Sequence, residues 1–339
     1  MAEISIVSYN ILSSALASPS FYSHCAEEDL LSLTRLLRIY KKLDQSMTEH
    51  KTRPIICLQE VSREWEGPLH VFFSRRNYHF ITSLSGPAYQ GYMGVAMAIP
   101  EDVYQLKDTS IKRIADTKQV PKIEEPKPSS HNLFIHKAQA IFDTCRGIKR
   151  EKETCPWEDS LKRHNTMISA RVVHQRSGKA FCIGTYHMPC AYWAPQVMVI
   201  HTALAFQHLQ EFAQGDEHIF AGDFNFGPHS QPYELITKNN PMIDLKKLPN
   251  DVWFPLLKTV MQDAYAQIDK QPEITNYATT NGKPCFAGVL DYIFISPGLT
   301  CKSVLELPSL DELKKQCTSL PNAHEPSDHL LIGALLTFQ

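Results

Sequence analysis

The residues best suited to chemistry lie in one short segment, 219–228. An apolar run there ends at Gly222 and is followed by Asp223 and Asn225, two positions apart. On an extended backbone that spacing places both side chains on the same side, and glycine lets the chain turn sharply or approach another backbone closely. A carboxylate and a carboxamide placed in this way can hold a hydroxide on one side and a phosphate oxygen on the other. Taken alone, the pair more often marks an ordinary polar junction between a strand and a loop.

Five other apolar runs carry polar side chains of the same kinds at or near their ends. These side chains are Asn10, Glu60, His187, Asp291 and the neighbours Asp328 and His329. A charged group directly after a buried strand is costly unless it has a partner, so we expect the set to converge. Carboxylates, amides and water suit Mg²⁺ or Mn²⁺. Such a site fits metal-assisted attack of water on a phosphorus centre, with an acid beside a histidine to orient its ring.

Hydrophobic periodicity predicts the elements that position these residues. Short apolar or alternating runs predict strands over 4–12, 54–61, 78–83, 94–99, 166–173, 180–187, 219–223, 288–295 and 330–336. Longer stretches with apolar residues at helical spacing predict helices over 27–48 and 195–213. Ser177 and Gly178 form the turn of a hairpin between two of the strands.

The length and composition are those of a globular protein. Of the 339 residues, 43% are hydrophobic and 21% charged, and large α/β folds reach this length as one domain. Neither a repeat nor a clear boundary divides the sequence, so we predict a single domain over 1–339. The pattern is weakest between 101 and 163, where charge clusters and prolines suggest a surface insertion. Its basic residues favour a solvated charged face over contact with a phosphate backbone; they are Lys149, Arg150, Lys152, Lys162 and Arg163.

Charge and cysteine usage narrow the class of protein. A net charge of -2 excludes a broadly basic nucleic-acid surface but is compatible with a local basic cleft. Nine scattered cysteines without zinc-ligand spacing suggest reduced thiols. The first residues lack the basic and apolar parts of a secretory signal, and no apolar run is long enough to span a bilayer. We therefore expect a cytoplasmic or nuclear protein without a membrane partner.

Several motifs, in order along residues 8–329, resemble those of the endonuclease/exonuclease/phosphatase superfamily. They are Ser8-Tyr9-Asn10-Ile11-Leu12, Leu58-Gln59-Glu60-Val61, Gly222-Asp223-Phe224-Asn225, Leu290-Asp291-Tyr292-Ile293 and Ser327-Asp328-His329. Two further segments, 275–293 and 320–329, are similar to the deadenylase-like branch, which includes the carbon-catabolite-repression deadenylases, nocturnin, the angel proteins and the 2′-phosphodiesterases. The resemblance implies an α/β fold of two packed β-sheets flanked by helices, a four-layer sandwich with the site at the sheets' shared edge.

The resemblance also implies a metal centre. Glu60 would be the principal Mg²⁺ ligand, with Asn10 beside it. Asp328 would contact a second ion, and Mn²⁺ is the alternative metal.

Catalytic roles follow from the same resemblance. Asp223, helped by Asn225, would orient or deprotonate the attacking water. His329, paired with Asp291, would contact the scissile phosphate and stabilise charge in the transition state. His187 would hydrogen-bond a phosphate oxygen.

Three residues are candidates for binding substrate. Asn165, just ahead of a strand, resembles an asparagine that the branch places near the substrate phosphate. Phe224 and Phe286 adjoin site residues in sequence and, like Phe226, have aromatic faces that can stack on a base. Packing in the core is the competing interpretation for each phenylalanine.

Three functions compete. The first is a Mg²⁺-dependent phosphodiesterase, a 3′ exoribonuclease acting on RNA or oligoadenylate ends. The segment Met188-Pro189-Cys190 departs from the branch's usual pattern, which weakens poly(A) as the substrate more than it weakens phosphodiester hydrolysis. The second function is therefore hydrolysis of a small phosphoester, such as a dinucleotide phosphate, a phosphoinositide or sphingomyelin. The third is a non-catalytic binding module of the same fold. RNA or a nucleotide is the expected partner, and the sequence identifies no protein partner.

Overall fold

Strands and helices contribute almost equally to the regular structure of the computed structural model, which describes residues 2–49, 52–118, 155–240, 256–280 and 285–339. The strands are β1 (Glu3–Asn10), β2 (Ile55–Val61), β3 (Tyr78–Leu84), β4 (Gly94–Pro100), β5 (Tyr104–Arg113), β6 (Thr166–His174), β7 (Ala180–His187), β8 (His218–Asp223), β9 (Gln262–Asp263), β10 (Asn276–Ala278), β11 (Phe286–Gly288), β12 (Asp291–Ile295), β13 (Leu299–Val304) and β14 (Ile332–Phe338). The α-helices are α1 (Glu27–Leu30), α2 (Ser32–Glu49), α3 (Arg63–Ser74), α4 (Pro156–Leu161), α5 (Pro195–Ala213), α6 (Gln231–Lys238), α7 (Ala264–Gln267) and α8 (Leu310–Gln316).

The strands form two six-stranded sheets. The first has the order β13-β14-β1-β2-β4-β3, and the second has the order β5-β6-β7-β8-β12-β9. Each sheet contains one parallel pair at its centre, β1 with β2 and β7 with β8, among antiparallel neighbours. The short strands β10 and β11 form a separate antiparallel pair.

The two sheets pack face to face and carry helices on their outer faces. Residues such as Ile6 of β1 and Ile219 of β8 share the apolar layer between the sheets. Helices α2 and α3 cover the outer face of the first sheet through a cluster that includes Leu36 and Trp65. Helix α5 covers the second sheet through a cluster that includes Leu204. The result is the α/β sandwich that the resemblance implied.

Strand alternation decides which side chains face the other sheet. In β1, Ile4 and Ile6 face inward, whereas Val7 and Tyr9 face the helices. Because successive side chains point to opposite faces, Asn10 continues the inward row at the end of the strand. The same alternation in β8 places Asp223 in the inward row.

The predicted helix over 27–48 is two helices. Helix α1 ends at Leu30, and Leu31 has an extended backbone (φ -61°, ψ 127°) before α2 begins. The apolar spacing predicted a helix but gave no signal for this break, and Leu31, Leu33 and Leu37 of the pattern are exposed.

The stretch assigned to an insertion at 101–163 contains regular structure at both ends. Residues 104–113 form β5, a strand at the edge of the second sheet with mostly exposed side chains, so its pattern lacks the apolar alternation of a buried strand. Residues 156–161 form α4. Residues 119–154, and with them Lys149, Arg150 and Lys152, lie outside the described residues. That the chain is a single domain stays a prediction.

Membrane-spanning structure was not expected from the sequence. Across the described ranges, every helix is either too short or too polar to cross a bilayer.

A substitution at Gly222 tests how closely the backbones of β7 and β8 approach each other. A Cβ atom at this position would lie 2.1 Å from the carbonyl oxygen of Tyr186, so Gly222→Ala must displace the backbone of one strand. We expect the substitution to lower the free energy of unfolding by about 1–3 kcal/mol, measured by urea denaturation. Gly227→Ala is the matched control, because a Cβ atom there meets nothing within 4 Å. Equal stability of the two variants would contradict the close packing.

Candidate active site

The parallel strand pairs end at one edge of the sandwich and deliver the first site residues there. β1 and β2 bring Asn10 and Glu60 from the first sheet. In the second sheet, His187 at the end of β7 is in register with Asp223 at the end of β8. Asp291, the first residue of β12, is in register with Asp223 on its other side. Three neighbouring strands of one sheet therefore present polar groups to the two strands of the other.

Asn10 links the two sheets at this edge. Its Nδ2 atom donates to Glu60 Oε1 at 3.1 Å and to Asp223 Oδ2 at 2.9 Å, and its Oδ1 atom accepts from the backbone N of Leu12 at 2.9 Å. The side chain is fully buried. Because both carboxylate oxygens accept from the same nitrogen, they lie within about 6 Å of each other.

Glu60 reaches Asn10 through an irregular backbone. Its φ is 59°, and the β2–β4 register shifts between Gln59 and Val61. A left-handed conformation in a non-glycine residue costs on the order of 1–3 kcal/mol. The bulge sends the carboxylate toward the inward row, although alternation alone would point it at the helices. Its second oxygen accepts from the backbone N of Ser13 at 2.9 Å.

Asp223 is almost fully buried and accepts hydrogen bonds on both oxygens. Oδ1 accepts from the backbone N of Asn225 at 2.9 Å, and His187 Nε2 lies 3.4 Å from Oδ2, the oxygen that Asn10 also contacts. Asn225 also has a left-handed φ of 53°, and its Nδ2 atom donates to the carbonyl of Met188 at 2.9 Å. The Asp-x-Asn pair therefore folds back on the end of β7 rather than extending away from it.

His329 and Asp291 form a buried pair. The His329 Nδ1 atom lies 2.8 Å from Asp291 Oδ2, which also accepts from Thr275 Oγ1 at 2.6 Å. The opposite ring nitrogen, Nε2, lies 3.6 Å from Asp223 Oδ2. The ring therefore bridges the two carboxylates.

Burial and the neighbouring charges set the protonation of this pair. Burial raises the pKa of Asp291 to about 6; the positive charge of His329 opposes that rise and Asp223 adds to it. Burial alone would lower the pKa of His329, but Asp291, Asp223 and Asp328 together raise it well above its ordinary value. At neutral pH the ring is a cation that donates to an ionised Asp291.

Asp328 lies on the loop that follows the cis peptide bond between Leu320 and Pro321. Its Oδ2 atom accepts from the Tyr22 hydroxyl at 2.9 Å and from Asn276 Nδ2 at 3.3 Å. The preceding Ser327 hydroxyl donates to the carbonyl of Asn10 at 2.7 Å. This bond fixes the loop against the end of β1.

The donor set fits a hard divalent cation. Asp223, Asp291 and His329 offer ligand atoms within 4.8 Å of one another, but the Nδ1 atom of His329 already lies 2.8 Å from Asp291 Oδ2. Each oxygen of Glu60 accepts one hydrogen bond and keeps a second lone pair. Carboxylate oxygens such as those of Glu60 are the ligand type that Mg²⁺ and Mn²⁺ prefer.

Asn165 joins the same edge from the start of β6. Its Nδ2 atom donates to the carbonyl of His187 at 2.8 Å. The structure therefore brings together the predicted polar residues Asn10, Glu60, Asn165, His187, Asp223, Asn225, Asp291, Asp328 and His329.

The interpretation of Phe224 as a base-stacking residue is wrong. Its side chain is fully buried among Phe206, Phe220 and Phe294. It follows the inward-facing Asp223 by one position, so alternation turns it toward the helices. Phe226 is also buried. Phe286, by contrast, is 48% exposed.

The sequence interpretation missed three residues that hold the site. Thr275 and Tyr22 support Asp291 and Asp328 as described above. Arg35, fully buried on α2, donates to the carbonyls of Ile11, Leu12 and Pro326 at 2.6, 2.6 and 2.7 Å. Thr275 belonged to a segment already similar to the deadenylase-like branch, but Tyr22 lies in no motif. An arginine among periodic leucines was a usable signal, because a buried cation needs partners.

Comparison with known proteins gives a family match over nearly the whole chain. The profile of the Endonuclease/Exonuclease/phosphatase family matches residues 7–329. Carbon catabolite repressor protein 4 homolog 1 of Arabidopsis thaliana is 25% identical over 98% of this chain and 57% of its own. A probable CCR4-Not complex 3′-5′-exoribonuclease subunit of Enterocytozoon bieneusi is 29% identical over 44% of this chain and 31% of its own. The chain thus spans 31% to 57% of the length of these relatives.

Solved structures show the same fold. The structure of ANGEL2, described as a 2′,3′-cyclic phosphatase in complex with adenosine-2′,3′-vanadate, superposes with a TM-score of 0.73 at 18% identity, covering 98% of this chain and 95% of that one. These relatives and this neighbour match the deadenylase-like branch indicated by the sequence motifs.

The charge state of His329 can be tested directly. Asp291→Asn removes a negative neighbour that raises the pKa of His329, so that pKa should fall, with burial now opposed by fewer charges. Imidazole NMR signals followed over pH measure the change. Asp311→Asn, on the exposed face of α8, is the matched control and should leave the His329 titration unchanged. An unchanged titration in Asp291→Asn would contradict the ion pair.

Proposed function

The chain belongs to the endonuclease/exonuclease/phosphatase family, and we propose that it is a Mg²⁺-dependent phosphodiesterase acting as a 3′ exoribonuclease on RNA or oligoadenylate ends. One observation supports this most strongly: the buried Asn10 amide holds the carboxylates of Glu60 and Asp223 together, while His329 bridges Asp223 and Asp291. This arrangement supports a site that combines cation ligands, a base and a cationic hydrogen-bond donor. A cytoplasmic or nuclear location is part of the proposal.

We assign the metal to the Glu60 side of the site. Glu60 would be the principal Mg²⁺ ligand, with Asn10 orienting it, and Asp328 would contact a second ion; Mn²⁺ would suit the same oxygen ligands. A bound divalent ion polarises the phosphoryl oxygen and offsets its growing negative charge. The hydrogen bonds to Asn10 and Ser13 hold the Glu60 carboxylate in one orientation.

The remaining residues handle the proton and the phosphate. Asp223 accepts a proton from the attacking water, and Asn225 positions that water. His329, kept cationic by Asp291, donates a hydrogen bond to the phosphate as charge develops. His187 donates to a second phosphate oxygen.

An apolar groove beside Asp291 supports a nucleotide substrate. This base groove has a volume of about 490 Å³ and is lined by Asn225, Leu290, Phe286 and Tyr192 among others. Phe286 is 48% and Tyr192 72% exposed. Exposed aromatic faces next to a phosphate site can stack on a base, a contact worth about 1–3 kcal/mol.

Hydrolysis of a small phosphoester is the second candidate. The net charge of -2 disfavours long tracking along a nucleic acid. Among the small substrates considered, the base groove favours a dinucleotide phosphate over a phosphoinositide or sphingomyelin. Cleavage of a dinucleotide phosphate with oligoadenylate left intact would select this candidate. Retention of a complete set of polar groups disfavours a non-catalytic module.

Metal removal and loss of Glu60 should have the same effect. We expect EDTA to abolish cleavage of labelled oligoadenylate and added Mg²⁺ to restore it. Glu60→Gln keeps the size of the side chain but removes its charge, so Mg²⁺ binding measured by calorimetry and turnover should both fall by at least about 100-fold. Glu28→Gln on the exposed face of α1 is the matched control. Full activity in EDTA would reject the metal role.

The two phenylalanines should respond differently to truncation. Phe286→Ala should raise KM for a short oligoadenylate about 5- to 150-fold and leave stability nearly unchanged. Phe224→Ala should instead lower the free energy of unfolding by about 3–5 kcal/mol. Leu33→Ala, an exposed apolar truncation on α2, is the control for KM. An unchanged KM in Phe286→Ala would show that the base groove does not bind the substrate base.

A further inference from the structure

A second cavity opens on the other side of Asp223. This basic pocket has a volume of about 320 Å³ and is lined by segments 85–95, 162–166 and 187–190 together with Trp193. It lies at the ends of β6 and β7, whereas the base groove lies beside the junction of β8 and β12. The order β6-β7-β8-β12 therefore places the two cavities on opposite sides of the catalytic carboxylate.

The charge of the basic pocket differs from that of the chain as a whole. Its lining includes Lys162, Arg163, His164 and His187, and none of the described residues that line it is acidic. The chain as a whole has a net charge of -2. The basic groups are thus concentrated where the substrate phosphate is expected.

Arg163 differs from the neighbouring Lys162 in its hydrogen bonding. Its Nε atom is buried and has no hydrogen-bond partner, although a buried guanidinium N–H is costly to leave unpaired. Lys162, in contrast, donates to Asp159 at 2.8 Å.

The backbone that carries Arg163 is fixed. The Arg113 guanidinium donates to the carbonyl of Arg163 at 2.9 Å and also to the carbonyl of Leu161. The backbone N of Arg163 donates to the carbonyl of Ser160 at 3.2 Å. The sequence suggested a solvated charged face for Arg163. The structure instead attaches this side chain to a segment whose backbone is fixed by hydrogen bonds.

We propose that the basic pocket binds a second phosphate of the substrate, one nucleotide upstream of the phosphodiester that is hydrolysed. This inference rests on the proposed function, because it takes the scissile phosphate to lie at Asp223 and the terminal base in the base groove. A planar guanidinium binds phosphate in two-point contacts, and Arg163 is one of the residues that line the basic pocket. Tyr89 and Trp193, 74% and 64% exposed at the rim, offer faces on which the upstream base can stack.

The test compares two dinucleotides. ApA has a single phosphate, the one to be hydrolysed, whereas pApA carries a 5′ phosphate one nucleotide upstream. We expect the wild type to hydrolyse pApA with a kcat/KM at least about tenfold higher than that for ApA. In Arg163→Gln this preference should disappear through the loss of pApA activity alone, and Arg163→Lys should restore part of it.

Binding without turnover separates the two proposals. Calorimetry in EDTA should show the same preference for pApA over ApA in the wild type and its loss in Arg163→Gln. Arg176→Gln, an exposed change of equal charge at the opposite end of β6, should leave the preference intact. If neither dinucleotide is hydrolysed but the binding preference persists, the proposed function fails and the phosphate site stands. If both are hydrolysed and bound equally well, or if Arg176→Gln abolishes the preference as Arg163→Gln does, the phosphate site is rejected.

Discussion

The hydrogen bond from Asn10 to Asp223 is the interaction on which the site depends, because it joins the two sheets where their parallel strands end. Below it the sheets are held by apolar packing, as between Ile6 and Ile219. A thin polar layer lies between the apolar core and the site. In this layer the Gln59 side chain of the first sheet donates to the Thr185 hydroxyl of the second at 3.2 Å. The positions of the polar groups at this edge therefore follow from the packing of the sandwich, and a shift of one sheet against the other would disperse them.

Collecting so many carboxylates at one edge creates a repulsion that the fold must offset. Glu60, Asp223, Asp291 and Asp328 lie close together, and unpaired buried charge is costly. Part of the compensation is local: hydrogen bonds from Asn10, backbone amides and hydroxyl groups reach each carboxylate. Part is a charge of opposite sign, supplied by His329 and, behind the loops, by Arg35. A divalent cation at this edge would offset the remainder.

The sequence predicted much of this arrangement because the governing signals were local. Apolar alternation located the central strands, and a polar residue at the end of such a strand, as at Asn10 or Asp223, marked the site edge. The failures also have physical causes. Phe224 stands beside Asp223 in sequence but on the opposite face of the strand. Strand β5 lies at a sheet edge with mostly exposed side chains and thus lacks an apolar pattern. Tyr22 contacts Asp328 across more than three hundred positions, a contact that periodicity cannot reveal.

The left-handed backbone of Glu60 limits which residues can replace it without loss of the site. Glycine would relax that conformation at once, so a population selected for thermal robustness alone would tend to accept glycine there. The same replacement would delete the side chain that reaches Asn10. At this one residue, backbone ease and site geometry therefore oppose each other, because the torsion angle that costs stability is the one that brings the carboxylate to Asn10.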